Sequence, residues 1–316
     1  MEITILGGGS WGTALAVHLA KKGNNVKVWE FVVKQAEEMQ KTRFCPMLPG
    51  AKLPKNIFVS PKMEEAIKGS KLIFLVVPST HAGATMEKAG KLMLAQPVVI
   101  CSKGFADGSR LLSEVVREKI TGNVYCLYGP THAEEVCKGM FSGIVLGGKD
   151  CSERKKIKEA VESPTLKVEL NEDVIGMQVS AVLKNILAVF VGVLDGKGLG
   201  DNAKAFVMTK GLEEIRAIGL KLGAKESTFY GLAGIGDVIV TCTSKHSRNR
   251  YVGEQVGKGR KLDEVIAEMS MVAEGVAAVK SVIQLNEKLG TDIPLISGLH
   301  DILFAGRDVE EVLREL

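Results

Sequence analysis

The residues best suited to chemistry are a lysine inside an apolar run, an acid after a glycine-rich turn and a basic turn at a helix start. Lys184 and Asn185 lie near the middle of Val174–Leu194, a stretch apolar on almost every side and of helical rather than strand length. A helix of that composition is buried in a large protein or crosses a membrane. One turn away on the face of Lys184 stand Ser180, Ala181 and Ala188, small enough to leave room before the amine. A buried ammonium without a partner is costly, so such a lysine pairs or its pKa falls. It serves either as half of a structural ion pair or as a proton-transfer group at the floor of a cleft. Asp237 follows the turn Gly231–Gly236 and also reads two ways. It caps the helix after it, or it faces Lys184 and orients its proton. In Ser247-Arg248-Asn249-Arg250, Ser247 is expected to cap a helix with Arg248 and Asn249 in its first turn. The helix dipole disfavours arginine there unless an anion is near. A phosphate would satisfy the dipole, the free N–H groups and the guanidinium together. The plain alternative is a solvated basic loop.

A second chemistry lies at the amino terminus. Glu2–Leu6 is a β-rich run that ends in Gly7-Gly8-Gly9-Ser10-Trp11-Gly12, a G-x-G-x-x-G pattern. A helix pattern over Thr13–Lys22 follows, stopped by Gly23-Asn24-Asn25, and then a strand over Val26–Trp29 that ends at Glu30. This is the strand–turn–helix–strand context in which the pattern binds a dinucleotide. Gly7, Gly9 and Gly12 permit the tight turn, and the helix start offers N–H groups to a pyrophosphate. Glu30 lies where an acid would accept from the adenosine ribose. It would repel a 2′-phosphate, and no arginine follows closely. NAD is therefore expected over NADP, with Lys34 as an opposing charge and NADP still possible.

These groups need elements to hold them. Apolar strands at Leu72–Val77, Val98–Cys101, Val124–Leu127 and Ile144–Leu146 alternate with helices at Met63–Lys68, Ala82–Leu94 and Leu111–Lys119. That alternation predicts an α/β fold, a Rossmann-like doubly wound sheet over 1–170. Ligands of such sheets lie beyond the carboxyl ends of the strands, where Lys103 and Thr131 fall. A lysine there is also an ordinary solvated turn residue. After Asp173 strands stop, and helices are expected at 174–194, 202–219, 237–242, 248–257, 262–269, 274–288 and 308–315. The second domain, 171–316, is thus expected to be all-α, with Asp201 as an N-cap after the connector Gly196–Gly200.

The totals narrow the class. A chain of 316 residues has room for about two domains. A net charge of +4 without a basic tract does not suggest nucleic acid. The six cysteines show no C-x-x-C pair, and free thiols in a reducing cytoplasm are expected. The five histidines show no ligand spacing, so no metal is expected. The first strand starts at once, leaving no room for a signal peptide. Val174–Leu194 comes closest to a membrane span, and its lysine, asparagine, glutamine and glycines argue against one.

Taken together and in order, the motifs resemble a known family. They are Gly7–Gly12, Ser102-Lys103-Gly104, Gly129-Pro130-Thr131-His132-Ala133-Glu134-Glu135, Leu183-Lys184-Asn185, Gly200-Asp201-Asn202-Ala203-Lys204, Gly231–Asp237 and Ser247-Arg248-Asn249-Arg250. The set is similar to that of the bacterial NAD(P)-dependent glycerol-3-phosphate dehydrogenases, from residue 1 to about 300. The resemblance implies that Ser10, Trp11, Phe31, Ala133, Val272 and Glu274 line the cofactor site, with Lys103 and Arg248 also reaching it. It implies substrate contacts from Lys103, Gly129, Thr131, Asn185 and Thr241, and a phosphate turn of Ser247, Arg248 and Asn249. Lys184 matches the catalytic lysine, and Asp237 and Thr241 match its polar partners. Phe31 stands where relatives that favour NADP often carry a basic residue.

The implied activity is reversible reduction of dihydroxyacetone phosphate to sn-glycerol 3-phosphate, which supplies the phospholipid backbone. A cytoplasmic homodimer joined through the helical domain is implied as well. Two alternatives stay open at this point. The architecture also serves lysine-dependent dehydrogenases of hydroxy acids or sugar-acid phosphates. A dinucleotide-sensing protein without turnover would carry the same first domain.

Overall fold

The structure is a computed structural model that describes residues 1–106, 109–269 and 273–316. The chain divides into two compact units: Met1–Ser102 with Arg110–Val174, and Lys103–Ser109 with Ile175–Leu316. The short segment after Ser102 therefore clusters with the helical half of the chain.

The first unit alternates strands and helices: β1 (Glu2–Leu6), α1 (Ser10–Lys21), β2 (Asn25–Trp29), α2 (Val33–Thr42), β3 (Ile57–Ser60), α3 (Met63–Ile67), β4 (Leu72–Leu75) and α4 (Ser79–Gly90). It continues through β5 (Val98–Ile100), α5 (Leu112–Arg117), β6 (Val124–Tyr128), α6 (Ala133–Lys138), β7 (Ser142–Gly147), α7 (Ser152–Val161) and β8 (Leu166–Asn171). The strands form one sheet in the order β3-β2-β1-β4-β5-β6-β7-β8. Neighbours are parallel except β6 and β7, which pair antiparallel with Leu127 opposite Leu146. The order reverses between β1 and β4, in register at Ile5 opposite Phe74. That reversal is where a doubly wound sheet opens a crevice for ligands. β4 is buried along its whole length, which explains its uninterrupted Leu-Ile-Phe-Leu.

The second unit is helical among the described residues. α8 (Val174–Lys197) is followed by α9 (Gly200–Lys221), α10 (Asp237–Thr243), α11 (Arg248–Gly257), α12 (Leu262–Glu268), α13 (Glu274–Leu289), α14 (Pro294–His300) and α15 (Val309–Glu315). By length and composition alone α8 is apolar enough to cross a membrane, its most apolar window having a mean hydropathy of 1.9. Its most apolar window is 94% buried inside the protein, so the apolar surface is spent on packing. Asp201 is not an N-cap. The helix begins one residue earlier, after Leu199, and the Asp201 carboxylate instead pairs with Lys204 one turn on.

α8 and α11 meet backbone to backbone. A Cβ on Gly192 would lie 2.0 Å from the Arg250 carbonyl oxygen, and one on Gly196 would lie 2.3 Å from that of Glu254. From the other side, Gly253 faces the Val189 oxygen at 1.9 Å and Gly257 the Val193 oxygen at 2.3 Å. Each helix thus offers two glycines four residues apart, and no larger residue fits without separating the axes. Cys45, Cys101, Cys126, Cys137, Cys151 and Cys242 are all free thiols.

Candidate active site

Three polar side chains of the helical unit converge on one carboxylate, that of Asp237. Asp237 is the first residue of α10, and Gly236 before it already has helical backbone angles. Its side chain therefore turns inward instead of capping the helix. Lys184, from the middle of α8, donates from Nζ to Asp237 Oδ1 and, at 2.8 Å, to Thr241 Oγ1. Thr241 lies one helical turn after Asp237, so both point to the same amine. Lys103 Nζ donates to the other oxygen, Asp237 Oδ2, at 3.0 Å. The side chains of Lys184 and Asp237 are 5% and 1% exposed, against 19% for Lys103. Desolvation thus falls on the inner pair, and Lys103 keeps a solvated edge.

The electrostatics follow from that burial. Loss of water pulls the Lys184 pKa down from 10.5 to about 7. The Asp237 charge works against this fall, and the Lys103 charge adds to it. Burial alone would raise the Asp237 carboxyl, but the charges and hydrogen bonds of Lys103 and Lys184 outweigh it and hold the group below its ordinary value. Two ammoniums sharing one carboxylate leave a net positive cluster. An ammonium has three donors, and two of those on Lys184 are taken. Among the described residues nothing takes the third, which is left for another oxygen. One turn before Lys184, the hydroxyl of Ser180 is buried and has no hydrogen-bond partner among the described residues. Buried polar groups are nearly always satisfied, so this hydroxyl is an open bonding position one helical turn from Lys184.

The basic turn forms as expected. Ser247 caps α11 and its Oγ accepts from the Arg250 N–H at 3.3 Å. Arg248 is exposed, and no acid pairs with it among the described residues. Asn249 Oδ1 accepts from the Gly275 N–H at 2.9 Å, which ties the start of α11 to the start of α13, where Glu274 is the first residue. A Cβ on Gly275 would stand 2.5 Å from the Asn185 carbonyl oxygen. Asn185, Asn249 and the Glu274–Gly275 step therefore share one small volume. Val272 lies outside the described residues.

The first unit holds the other group of expected residues. Gly7 has φ +116°, and a Cβ there would meet the backbone of Val76 and Val77 at 2.9 Å. A Cβ on Gly12 would lie 1.9 Å from the Gly7 carbonyl oxygen. Over Gly9 the nearest atom would be Met47 Cε at 3.8 Å, so the missing side chain leaves the space above the turn open. Among the described residues no side chain caps α1, which starts at Ser10, and the buried indole N–H of Trp11 has no partner. An open cradle, free helix-start N–H groups and an orphan donor are what a dinucleotide pyrophosphate requires. The residues present fit that group.

Glu30 is buried just past β2, its Oε2 accepting from the Gly8 N–H at 3.1 Å and its Oε1 from the Val32 N–H at 2.9 Å. Burial raises its carboxyl pKa, although both backbone bonds oppose the rise. The acid thus helps to build the glycine turn, and its remaining lone pairs are free for a ligand. Phe31 is 72% exposed and meets Trp29 edge-on at 6.1 Å. Thr131 Oγ1 donates to the Gly129 carbonyl oxygen at 3.1 Å. Ala133 begins α6 and is buried. Asp195, which accepts from both Arg250 and Lys204, had no signal beyond its place after an apolar run.

Comparison with known proteins agrees with this geometry along the whole chain. The family model described as NAD-dependent glycerol-3-phosphate dehydrogenase N-terminus matches residues 2–154, and the model described as its C-terminus matches residues 173–314. Glycerol-3-phosphate dehydrogenase [NAD(P)+] of Prosthecochloris aestuarii is 42% identical over 323 residues, covering 100% of this chain and 97% of the relative. The enzyme of that name from Chlorobium phaeobacteroides (strain BS1) is 40% identical with the same coverage. The crystal structure of glycerol-3-phosphate dehydrogenase from Coxiella burnetii superposes with a TM-score of 0.96 at 33% identity, covering 99% of this chain and 98% of that one. With both halves of the chain matched and relatives alike from end to end, the protein belongs to the NAD-dependent glycerol-3-phosphate dehydrogenase family.

Proposed function

We propose that this chain reversibly reduces dihydroxyacetone phosphate to sn-glycerol 3-phosphate with NAD(P)H, NADH being preferred, and so supplies the glycerol phosphate backbone of phospholipids. The observation that supports it most is the buried Lys184 amine, aimed by Asp237 and Thr241 and left with one free donor. When bound in the glycine cradle, the nicotinamide cofactor supplies or takes up the hydride at C2. In reduction the Lys184 ammonium gives a proton from Nζ to the C2 carbonyl oxygen. In oxidation the neutral amine takes the proton of the C2 hydroxyl. A pKa of about 7 makes both forms available near neutrality, as efficient proton transfer requires. Asp237 and Thr241 fix the direction of the amine, and Lys103 neutralises the carboxylate from its far side. Lys103, Asn185, Gly129 and Thr131 are assigned to substrate. Arg248 and the capped start of α11 would hold the phosphate through Ser247 and Asn249, and that remote binding energy keeps C2 in place.

Gly7, Gly9, Ser10, Trp11 and Gly12 are assigned to the pyrophosphate, and Glu30 and Phe31 to the adenosine end. Ala133, Lys103, Arg248, Val272 and Glu274 are assigned to the rest of the cofactor. The reading extends to a homodimer acting in the cytoplasm on a small phosphorylated substrate. Its test is NADH oxidation followed by absorbance with dihydroxyacetone phosphate, in the wild type and in Lys184→Met. Turnover should fall by ~10²–10⁴ in the variant, the range carried by a general acid–base group, with NADH affinity within about twofold by fluorescence titration. A variant that turns over within a few-fold of wild type would remove Lys184 from the chemistry.

A further inference from the structure

We propose that Arg250 is a positioning residue for phosphate recognition, clamped by Asp195 so that Arg248, two residues earlier, is the guanidinium offered to the substrate. This rests on the reading of Ser247–Asn249 as the phosphate turn. Arg250 Nε and one terminal nitrogen converge on Asp195 Oδ2 at 2.7 and 2.6 Å. The other oxygen, Oδ1, accepts from Lys204 Nζ at 2.9 Å, and Lys204 also pairs with Asp201 at 2.6 Å. The side chains of Arg250 and Asp195 are 20% and 14% exposed, which makes the pair a shielded one.

Arg250 ties the first turn of α11 to the lysine helix through its guanidinium and its carbonyl, while a longer contact to Glu254 at 4.0 Å stays within α11. Its N–H closes the Ser247 cap. Its carbonyl lies where only the glycine at 192 admits it. Its guanidinium ends on Asp195, three residues beyond Gly192 on α8. Lys184, Ala188 and Gly192 follow one another at steps of four, so the stripe that carries the amine also carries this contact. The separation between proton donor and phosphate turn is thereby set by close backbone contact and locked by one ion pair. The pair has an electrostatic consequence too. A cation in the first turn of a helix opposes the dipole. Asp195 cancels that of Arg250, whereas no acid among the described residues pairs with Arg248 at the helix start. It also keeps Arg250 from reaching for the anion itself.

The test uses the full-length enzyme with Asp195→Asn, Arg250→Met, Arg250→Lys and, as a control, Arg248→Met. The readouts are kcat and KM for dihydroxyacetone phosphate at saturating NADH, the competitive inhibition constant of inorganic phosphate, and the KM for NADH. Asp195→Asn and Arg250→Met should each raise the substrate KM and the phosphate constant by about tenfold, or ~1.4 kcal/mol. The kcat and the NADH KM should stay within about threefold, and Arg250→Lys should recover part of the loss. If Arg250 bound phosphate directly, freeing it with Asp195→Asn would leave the phosphate constant unchanged or tighter, and the proposal would fail. It would fail equally if kcat, substrate KM and NADH KM all worsened together, the mark of general disruption. Asp195→Asn keeps shape and volume, so it carries the test should Arg250→Met not fold. If Arg248→Met left phosphate binding intact, the phosphate turn itself would be wrong. If Arg248→Met weakened it while Arg250→Met and Asp195→Asn did not, only the positioning role would fall.

Discussion

Asp237→Asn should move the pH dependence of the reaction by a large and specific amount. The Asp237 charge opposes the desolvation that brings Lys184 to about 7. Two unit charges about 4 Å apart interact by ~4 kcal/mol at an effective dielectric constant of ~20. At ~1.4 kcal/mol per unit, removing the carboxylate lowers the lysine pKa by ~3. Lys103 loses its partner at the same time and pushes in the same direction. At neutral pH the protonated fraction of Lys184 then falls from ~1/2 to ~1/1000. A stronger acid recovers part of this. With a proton-transfer sensitivity of about one half, the net loss is ~15-fold in reduction. In oxidation the amine is fully available but weaker as a base, and the same arithmetic gives ~15-fold. The two must agree, because the overall equilibrium is untouched.

The shape of the profiles separates this from simple damage. In the wild type, kcat/KM for reduction at saturating NADH should be flat below about 7 and fall tenfold per unit above it. In Asp237→Asn the fall should already be under way from ~pH 5, and the oxidation profile should be flat over the same range. Any further loss from a misaimed amine lowers both curves without shifting them. Midpoints within half a unit of wild type would refute the view that Asp237 sets the proton affinity of Lys184.

Other outcomes are equally definite. Gly253→Ala places a Cβ 1.9 Å from the Val189 oxygen, and thermal unfolding should show a loss of about 1–3 kcal/mol, typical of overpacking. An unchanged midpoint would mean that α8 and α11 can part freely. Glu214 is buried, caps α14 by accepting from the Leu295 and Ile296 N–H groups at 2.7 and 3.0 Å, and has a pKa raised by burial to about 7. Because the folded pKa exceeds the unfolded one, its contribution is fully present below about 4.5 and is lost as pH rises through about 7. Urea unfolding at several pH values should show this decline in the wild type and not in Glu214→Gln; parallel curves would contradict it. Glu30→Gln should lower the ratio of NADH to NADPH efficiency by about tenfold, since the charge facing a 2′-phosphate is gone. The ratio is the readout, because glutamine also gives up one of the two backbone bonds at Gly8 and Val32.

Much of the fold was legible because burial writes itself into the sequence. β4 and α8 are buried on every side, and each reads as an apolar run of the right length. The strands that escaped notice, β3 and β8, are the two edges of the sheet. In β8 the buried Leu166 and Val168 alternate with the exposed Lys167 and Glu169, so the signal was alternation with period two and not an apolar run. α2 and α7 were missed for a related reason. α2 buries only Ala36 and Met39 in ten residues, too few to set up a helical stripe.

The site was legible in its parts and not in its pairings. A lysine inside an apolar helix announces that something compensates for its burial, but sequence distance does not say what. Asp237 lies 53 residues away, and its alternative role as a cap was excluded only by the helical conformation of Gly236. Lys103 lies 134 residues from Asp237, and nothing local distinguishes it from a solvated turn residue. The glycines were the more readable clue. Gly192 with Gly196, and Gly253 with Gly257, are two pairs at the same four-residue spacing, and each pair marks a helix stripe with no side chains to hold neighbours apart. Two such stripes in one chain suggest each other as partners. Pairing them brings the phosphate turn at the start of α11 toward the stripe of Lys184, and with it the distance between proton donor and anion. The mutual steric exclusion at Gly192, Gly196, Gly253 and Gly257 is what makes that distance a property of the backbone, which the side chains at 195 and 250 then lock.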